Sequence, residues 1–295
     1  MTGFFNVYKE AGYTSHDVVA IIRKLTGVKV GHTGTLDPQA EGVLPICLGR
    51  ATKLAGMITG QQKSYVAEVI LGITTDTGDM TGQMLSQSEV QFDEGAICTV
   101  VEGFHGPQLQ VPPMYSALKI GGKKLYELAR KGQTVERKPR SVTIESIKVL
   151  KYCPENNSFT IDVTCSKGTY IRSLCMDIGE ALGAGAAMRA LLRTHSGAFS
   201  VDTAIKIAEI RKAAADGNLA SMILPVESVL DFPTAYVRPE GLAMANNGNP
   251  LPSELVDISA SCGGKVWLHG PDGLIGLFAI DITNGTKKLR SEVML

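Results

Sequence analysis

The chain reads Gly31-His32-Thr33-Gly34-Thr35-Leu36-Asp37-Pro38 and soon after Gly42-Val43-Leu44-Pro45. Glycines at 31, 34 and 42 and prolines at 38 and 45 describe a shaped loop whose backbone can pass close to a ligand. The loop lacks the Gly-Lys-Ser/Thr ending of a phosphate-binding Walker loop. Pro38 disfavours helical backbone at Asp37, so this carboxylate is expected on an extended segment. Residue types alone also fit a surface Asp-Pro turn.

The elements around this loop are legible from periodicity. Phe4 to Tyr8 reads as a strand, and Thr14 or Ser15 as the cap of a helix carrying Val18, Val19, Ile21, Ile22 and Leu25, stopped by Gly27. Tyr65 to Leu71 reads as a mostly buried strand, and Thr74 to Gly82 as a polar turn. Val142 to Leu150 and Phe159 to Cys165 are further strands. A Lys167-Gly168 turn follows, then Thr169 as the cap of a helix with Ile171, Leu174, Ile178 and Leu182. Asp202 to Ala215 reads as an amphipathic helix. From Phe232 the texture becomes β-rich, with Pro271-Asp272-Gly273 as a turn between two apolar runs.

The 295 residues suit one large and one small domain, 1–231 and 232–295, and 44% hydrophobic with 20% charged residues implies a packed core. The N-terminal residues show no signal segment and no run is long and apolar enough for a membrane span, which fits a cytoplasmic location. Six dispersed cysteines, at 47, 98, 153, 165, 175 and 262, form no CxxC pair, so reduced thiols and no metal site are expected. A formal net charge of +0 excludes a generic basic nucleic-acid coat, so any RNA surface must arise by local clustering.

The whole run GHTGTLDPQAEGVLPICLGRATK resembles the catalytic segment of the tRNA pseudouridine synthase B (tRNA pseudouridine-55 synthase) family. Lys63-Ser64-Tyr65, PPMYSALK from Pro112 to Lys119, and KGTYIR from Lys167 to Arg172 follow in that family's order. The likeness extends from about Phe5 to about Gly197. It implies an α/β fold with a mixed, largely antiparallel central sheet and a small β-rich C-terminal RNA-binding domain. It implies isomerisation of a T-loop uridine in tRNA, with base flipping and no cofactor. Asp37 matches the nucleophile, Tyr65 the tyrosine that packs on the base and serves the closing proton transfer, and Arg172 the arginine paired with the nucleophile. His32 matches a histidine that stacks in the remodelled T-loop, and Tyr170 and Leu191 match pocket positions. Lys9 and Lys63 are RNA-facing candidates, although Lys9-Glu10 stands where the family has Lys-Pro.

Without the resemblance, Tyr65, Tyr170 and Leu191 would read as core, His32 as a group bonded within its own loop, and Arg172 as an exposed arginine. One physical argument supports the pairing. An arginine in the first turn of a helix meets the positive end of the helix dipole, unfavourable by about 0.3–1 kcal/mol, and Asp37 is the carboxylate that would offset this. Whether Asp37 attacks C1′ or C6 stays open. Lys119, Lys123, Lys124, Arg130, Lys131, Arg137, Lys138 and Arg140, opposed by Glu127 and Glu136, suggest an RNA-binding arm over 119–140, which Gly121-Gly122 and Gly132 could make mobile. Alternatives are a related synthase acting mainly on another RNA, a non-catalytic tRNA-binding or tRNA-folding protein, and an aspartate-nucleophile hydrolase. A monomer with tRNA as partner is expected, with no obligate protein partner.

Overall fold

The computed structural model describes residues 1–258, 264–283 and 286–295; Cys262 lies outside them. The main sheet has ten strands. Its spine runs Ile205–Lys206, Gly3–Lys9, Glu41–Leu48, Ala186–Ser196, Lys63–Leu71, Ser158–Cys165, Arg140–Cys153, Gly106–Gln110. Only the Gly3–Lys9 with Ile205–Lys206 and the Glu41–Leu48 with Ala186–Ser196 pairings along this spine are parallel, so the sheet is mixed and largely antiparallel, as expected. Alternate residues of the Lys63–Leu71 strand (Tyr65, Ala67, Val69) enter one large apolar cluster with helices Ser15–Thr26 and Ile171–Ala181. The period of two on the strand and 3.6 on the helices therefore meet in one core.

The first helix begins as its sequence dictates. Thr14 and Asp17 form a reciprocal capping box, and Gly27 ends the helix at φ 69°. Two expectations need correction. Tyr170, not Thr169, is the N-cap of Ile171–Ala181, because the Thr169 hydroxyl donates back to the Ser166 carbonyl at 2.9 Å. The segment 202–215 is not one helix. Ile205–Lys206 pairs with Val7–Tyr8 as an edge strand, and the helix is Ile207–Ala215, with Glu209 accepting from the Lys206 N–H at 2.9 Å. Apolar spacing cannot distinguish a short edge strand from a helix's first turn when a neighbouring strand supplies the hydrogen bonds.

A second, six-stranded sheet begins at Thr234–Val237. Lys265–Gly270 and Gly273–Thr283 form a hairpin across the expected turn. Trp267 is buried, donates its indole N–H to the Leu230 carbonyl at 2.9 Å, and meets Phe232 edge-on. Trp267, Leu277 and Val293 share an apolar cluster with Phe4, Val43, Leu54 and Phe199, so the β-rich segment is docked onto the main sheet through a continuous core.

Candidate active site

The loop carrying Asp37 is tied down from several elements. The Ala40 N–H donates to the Asp37 carbonyl at 3.1 Å, closing a turn with Pro38 at its second position. The Pro38 carbonyl accepts from the Gly12 N–H at 2.9 Å and from Lys9 Nζ at 3.0 Å. Ser15 Oγ both accepts from the Leu36 N–H at 2.9 Å and donates to the Leu36 carbonyl at 3.2 Å. Beyond the turn, Gly42 has φ 101° and its α-carbon lies against the Arg193 backbone, so any side chain there would collide with it.

Arg172, in the first turn of Ile171–Ala181 and only 4% exposed, reaches this loop. Its Nε lies 2.9 Å from Asp37 Oδ2, and its Nη2 donates to Oδ1 at 3.2 Å, a two-pronged contact. The remaining donors go to the Thr77 carbonyl at 2.9 Å and the Tyr115 carbonyl at 2.7 Å. Asp79 stands 3.7 Å from Nε as a second, weaker counter-charge. Burial pushes the Asp37 carboxyl above its ordinary range; the Arg172 guanidinium opposes that rise and Asp79 adds to it. The carboxylate nonetheless keeps 37% of its side-chain surface open, which a nucleophile requires.

The opening leads into a cleft of about 540 Å³ that brings together Asp37, Tyr65, Tyr170, Arg172, Leu191 and Lys63. Tyr65 is 8% exposed, and burial holds its phenol above the ordinary tyrosine range. Tyr170 is fixed through its backbone, since Gln110 accepts from its N–H at 2.7 Å and donates to its carbonyl at 3.0 Å. Leu191 and Asp37 also line a smaller cavity of about 160 Å³. Arg140 and Lys167 add positive charge at the cleft wall.

Two lysines do not sit as an RNA-facing role requires. Lys9 is wholly buried, and its ammonium donates to the carbonyls of Glu10, Tyr13 and Pro38. It is a strut under the Asp37 turn, and burial lowers its pKa to about 8. Lys63 is 6% exposed, with its ammonium on the carbonyls of Thr59 and Gln61 at 2.7 and 2.6 Å; it lines the cleft without presenting a free charge. His32 lies outside the cleft lining. Its Nδ1 accepts from the Gly34 N–H at 3.3 Å, and His16 meets it edge-on at 5.8 Å. Burial, with His16 and Arg193 adding to it, lowers its pKa to about 4, so the ring is neutral.

The basic arm is a hairpin followed by a short helix. Lys119 pairs with Lys124 and Ile120 with Lys123 across Gly121-Gly122. Both glycines have positive φ, 57° and 82°, the requirement of a two-residue primed turn. Lys124 and Arg130 each lie 5.4 Å from the Tyr126 ring centroid. Lys119, Lys123 and Arg130 are exposed and do not line the cleft.

Sequence reading missed Arg193, Gln110, Asp79 and Ser15. The signal for Arg193 was present as a lone charge in the apolar run Ala-Leu-Leu-Arg, but only tertiary pairing gives it a role. Among the described residues no group of three His, Cys, Asp or Glu side chains gathers as metal ligands would.

Comparison with known proteins agrees with this geometry. Residues 23–171 match the model of the TruB family pseudouridylate synthase N-terminal domain, and 172–231 match that of the tRNA pseudouridylate synthase B C-terminal domain. The chain belongs to the TruB pseudouridylate synthase family. It is 49% identical over 260 residues to tRNA pseudouridine synthase B of Alkaliphilus oremlandii, covering 87% of this chain and 85% of that one. It is 45% identical to tRNA pseudouridine synthase B of Bacillus subtilis over 249 residues, 82% of this chain and 81% of the other. Among solved structures, a chain of a Cbf5-Nop10-Gar1 complex superposes with TM-score 0.72 at 29% identity, covering 99% of this chain and 84% of that chain. A chain of an H/ACA RNP bound to a substrate RNA containing 2'-deoxyuridine gives TM-score 0.70 at 27% identity, covering 99% and 83%. The TruB models end at 231, shortly before the second sheet begins at Thr234.

Proposed function

We propose that this chain isomerises uridine to pseudouridine in the T-loop of tRNA, at position 55, with Asp37 as nucleophile. The observation that carries the reading is a carboxylate gripped by Arg172 on one side and open on the other to a cleft walled by Tyr65, Tyr170 and Leu191. The target base must be flipped from its stack to enter such a cleft. Arg172 keeps Asp37 ionised and aimed against the effect of burial. Tyr65 and Leu191 confine the uracil while its bond to C1′ breaks and the ring turns to present C5. A carboxylate that attacks and is then displaced needs no metal or redox partner for this isomerisation.

The exposed lysines and arginine of 119–140 supply phosphate contacts, and residues 232–295 form a second RNA-contacting domain that adds affinity rather than base choice. The enzyme acts as a monomer in the cytoplasm. Among the described residues no helix is long and apolar enough to cross a membrane. Chemical mapping of pseudouridine after incubation with unmodified tRNA tests the reading. A modified T-loop uridine is expected; modification confined to other RNA fragments, or none at all, would refute it.

A further inference from the structure

Arg193 is 1% exposed, and among the described residues no carboxylate pairs with it. Its Nε donates to the Val43 carbonyl at 2.6 Å and its Nη2 to the Gly34 carbonyl at 3.0 Å, so it spans the loop on both sides of Asp37. Carbonyls take two of its N–H groups but leave its charge uncompensated, and an unpaired buried charge is strongly unfavourable. Arg193 is the cross-strand partner of Tyr65 and lines the same cleft, and its guanidinium opposes the rise that burial imposes on the phenol. Asp37 is the sole carboxylate of that lining and is already held by Arg172. The titratable groups around the phenol are Arg193, Cys165 and Asp37, while Lys9, Lys63 and His32 surround the guanidinium. Among the side chains that line the cleft, the Tyr65 oxygen is the group not already paired that can become negative beside Arg193.

Resting on the reading above, we propose that Arg193 is a positioning residue that acts through Tyr65, orienting its oxygen and stabilising it as the phenolate that takes the proton from C5. In that closing step the C5–H bond breaks, the proton passes to the Tyr65 oxygen, and the electron pair restores the C5=C6 double bond. N1, having lost the sugar, takes one proton from water, and Tyr65 returns one to water, so no net acid or base is consumed. A fixed cation beside the phenol lowers the cost of the phenolate, which must form by loss of the phenolic proton to water before the C5 proton can be taken.

The test is a double-mutant cycle on single-turnover conversion of a tRNA T-arm, with thermal melts to verify folding. Arg193→Gln should lower the rate about 10²-fold with tRNA affinity unchanged. In a Tyr65→Phe background the same change should cost little, because the group it serves is gone. Arg193→Lys should rescue poorly near neutrality and better at high pH, since one ammonium cannot hold two carbonyls and the phenol together. A 3-fluorotyrosine at position 65 gives a readout independent of activity: its fluorine resonance should titrate at higher pH in either Arg193 variant, including Lys if Gln fails to fold. Equal losses in both backgrounds, or an unmoved fluorine titration, would overturn the inference. A wild-type enzyme that makes no pseudouridine would instead overturn the functional reading, so the two failures are distinguishable.

Discussion

The Asp37 loop and the 119–140 arm are both short, glycine-containing and polar, yet they are built on opposite terms. The loop is gripped by Lys9, Ser15, Arg172 and Arg193 from four different elements, all four of them fully or almost fully out of solvent. The arm, which includes a hairpin and one short helix, keeps Lys119, Lys123, Arg130, Lys131 and Lys138 exposed, with two cation–ring contacts among its ties. Buried cations fix geometry because losing a partner there is costly; exposed cations supply charge that works at a distance and is screened by salt. Chemistry needs the first arrangement and capture of a polyanion needs the second.

The strongest way to break this contrast is at Asp37. Asp37→Asn should abolish isomerisation while tRNA binding stays near wild type, as chemical mapping and a filter-binding titration would report. A near-normal rate would remove the nucleophile assignment. Next comes Arg172→Ala, which should lower turnover by about 10²–10³-fold. Breaking a buried pair costs about 3–5 kcal/mol, discounted here because Asp37 is partly open. Its acid limb should also move to higher pH, since burial then raises the Asp37 carboxyl without opposition from the guanidinium. Arg172→Lys should restore little, lacking the planar fork, and normal kinetics in that variant would show the pair to be geometrically undemanding.

Lys9 and the arm lysines sharpen the comparison directly. Lys9→Met leaves three carbonyls without their donor, so stability should fall by about 1–3 kcal/mol with the salt dependence of tRNA binding unchanged. Neutralising Lys123, Lys124 and Arg130 together should do the reverse. Melting should barely move, while the log–log salt slope should flatten by about 0.7–0.9 per lost phosphate contact. An unchanged slope in the triple variant would mean the arm is only a solvated face. The smallest effect belongs to His32. Its folded pKa of about 4 lies below the ordinary 6.5, so the unfolded chain takes the proton first as pH falls through that window. The wild type therefore loses stability between pH 6.5 and 4 from this group. The melting difference between wild type and His32→Gln should shift against the wild type on acidification, and a pH-independent difference would contradict a buried neutral ring.

Much of this was legible in the sequence because it is local. Thr14, Asp17 and Gly27 carry the limits of the first helix in their own side-chain and backbone preferences. Period-two patterning gives the strand at Tyr65 its buried face, whereas Gly121-Gly122, read only as a source of mobility, turns out to close a hairpin. The run from Gly31 to Pro45 announced a shaped loop presenting a carboxylate, but only 33–40 is loop, because Val30–His32 and Glu41–Leu48 pair as strands. What the sequence could not decide is where long polar side chains end. Lys9 and Lys123 are the same residue type, and only the packing of the first helix against the Asp37 turn makes one a buried strut while the other stays in water. Likewise 57 residues separate Tyr115 from Arg172 and 135 separate Asp37 from it, yet their meeting defines the site. Arg193 meets Tyr65 only through strand pairing, and Ile205–Lys206 becomes a strand only because Gly3–Lys9 offers it an edge. Caps, turns and alternation are set by neighbours in the chain. Charge burial and strand pairing are set by partners far along it, whose identity exists only once the sheet has closed.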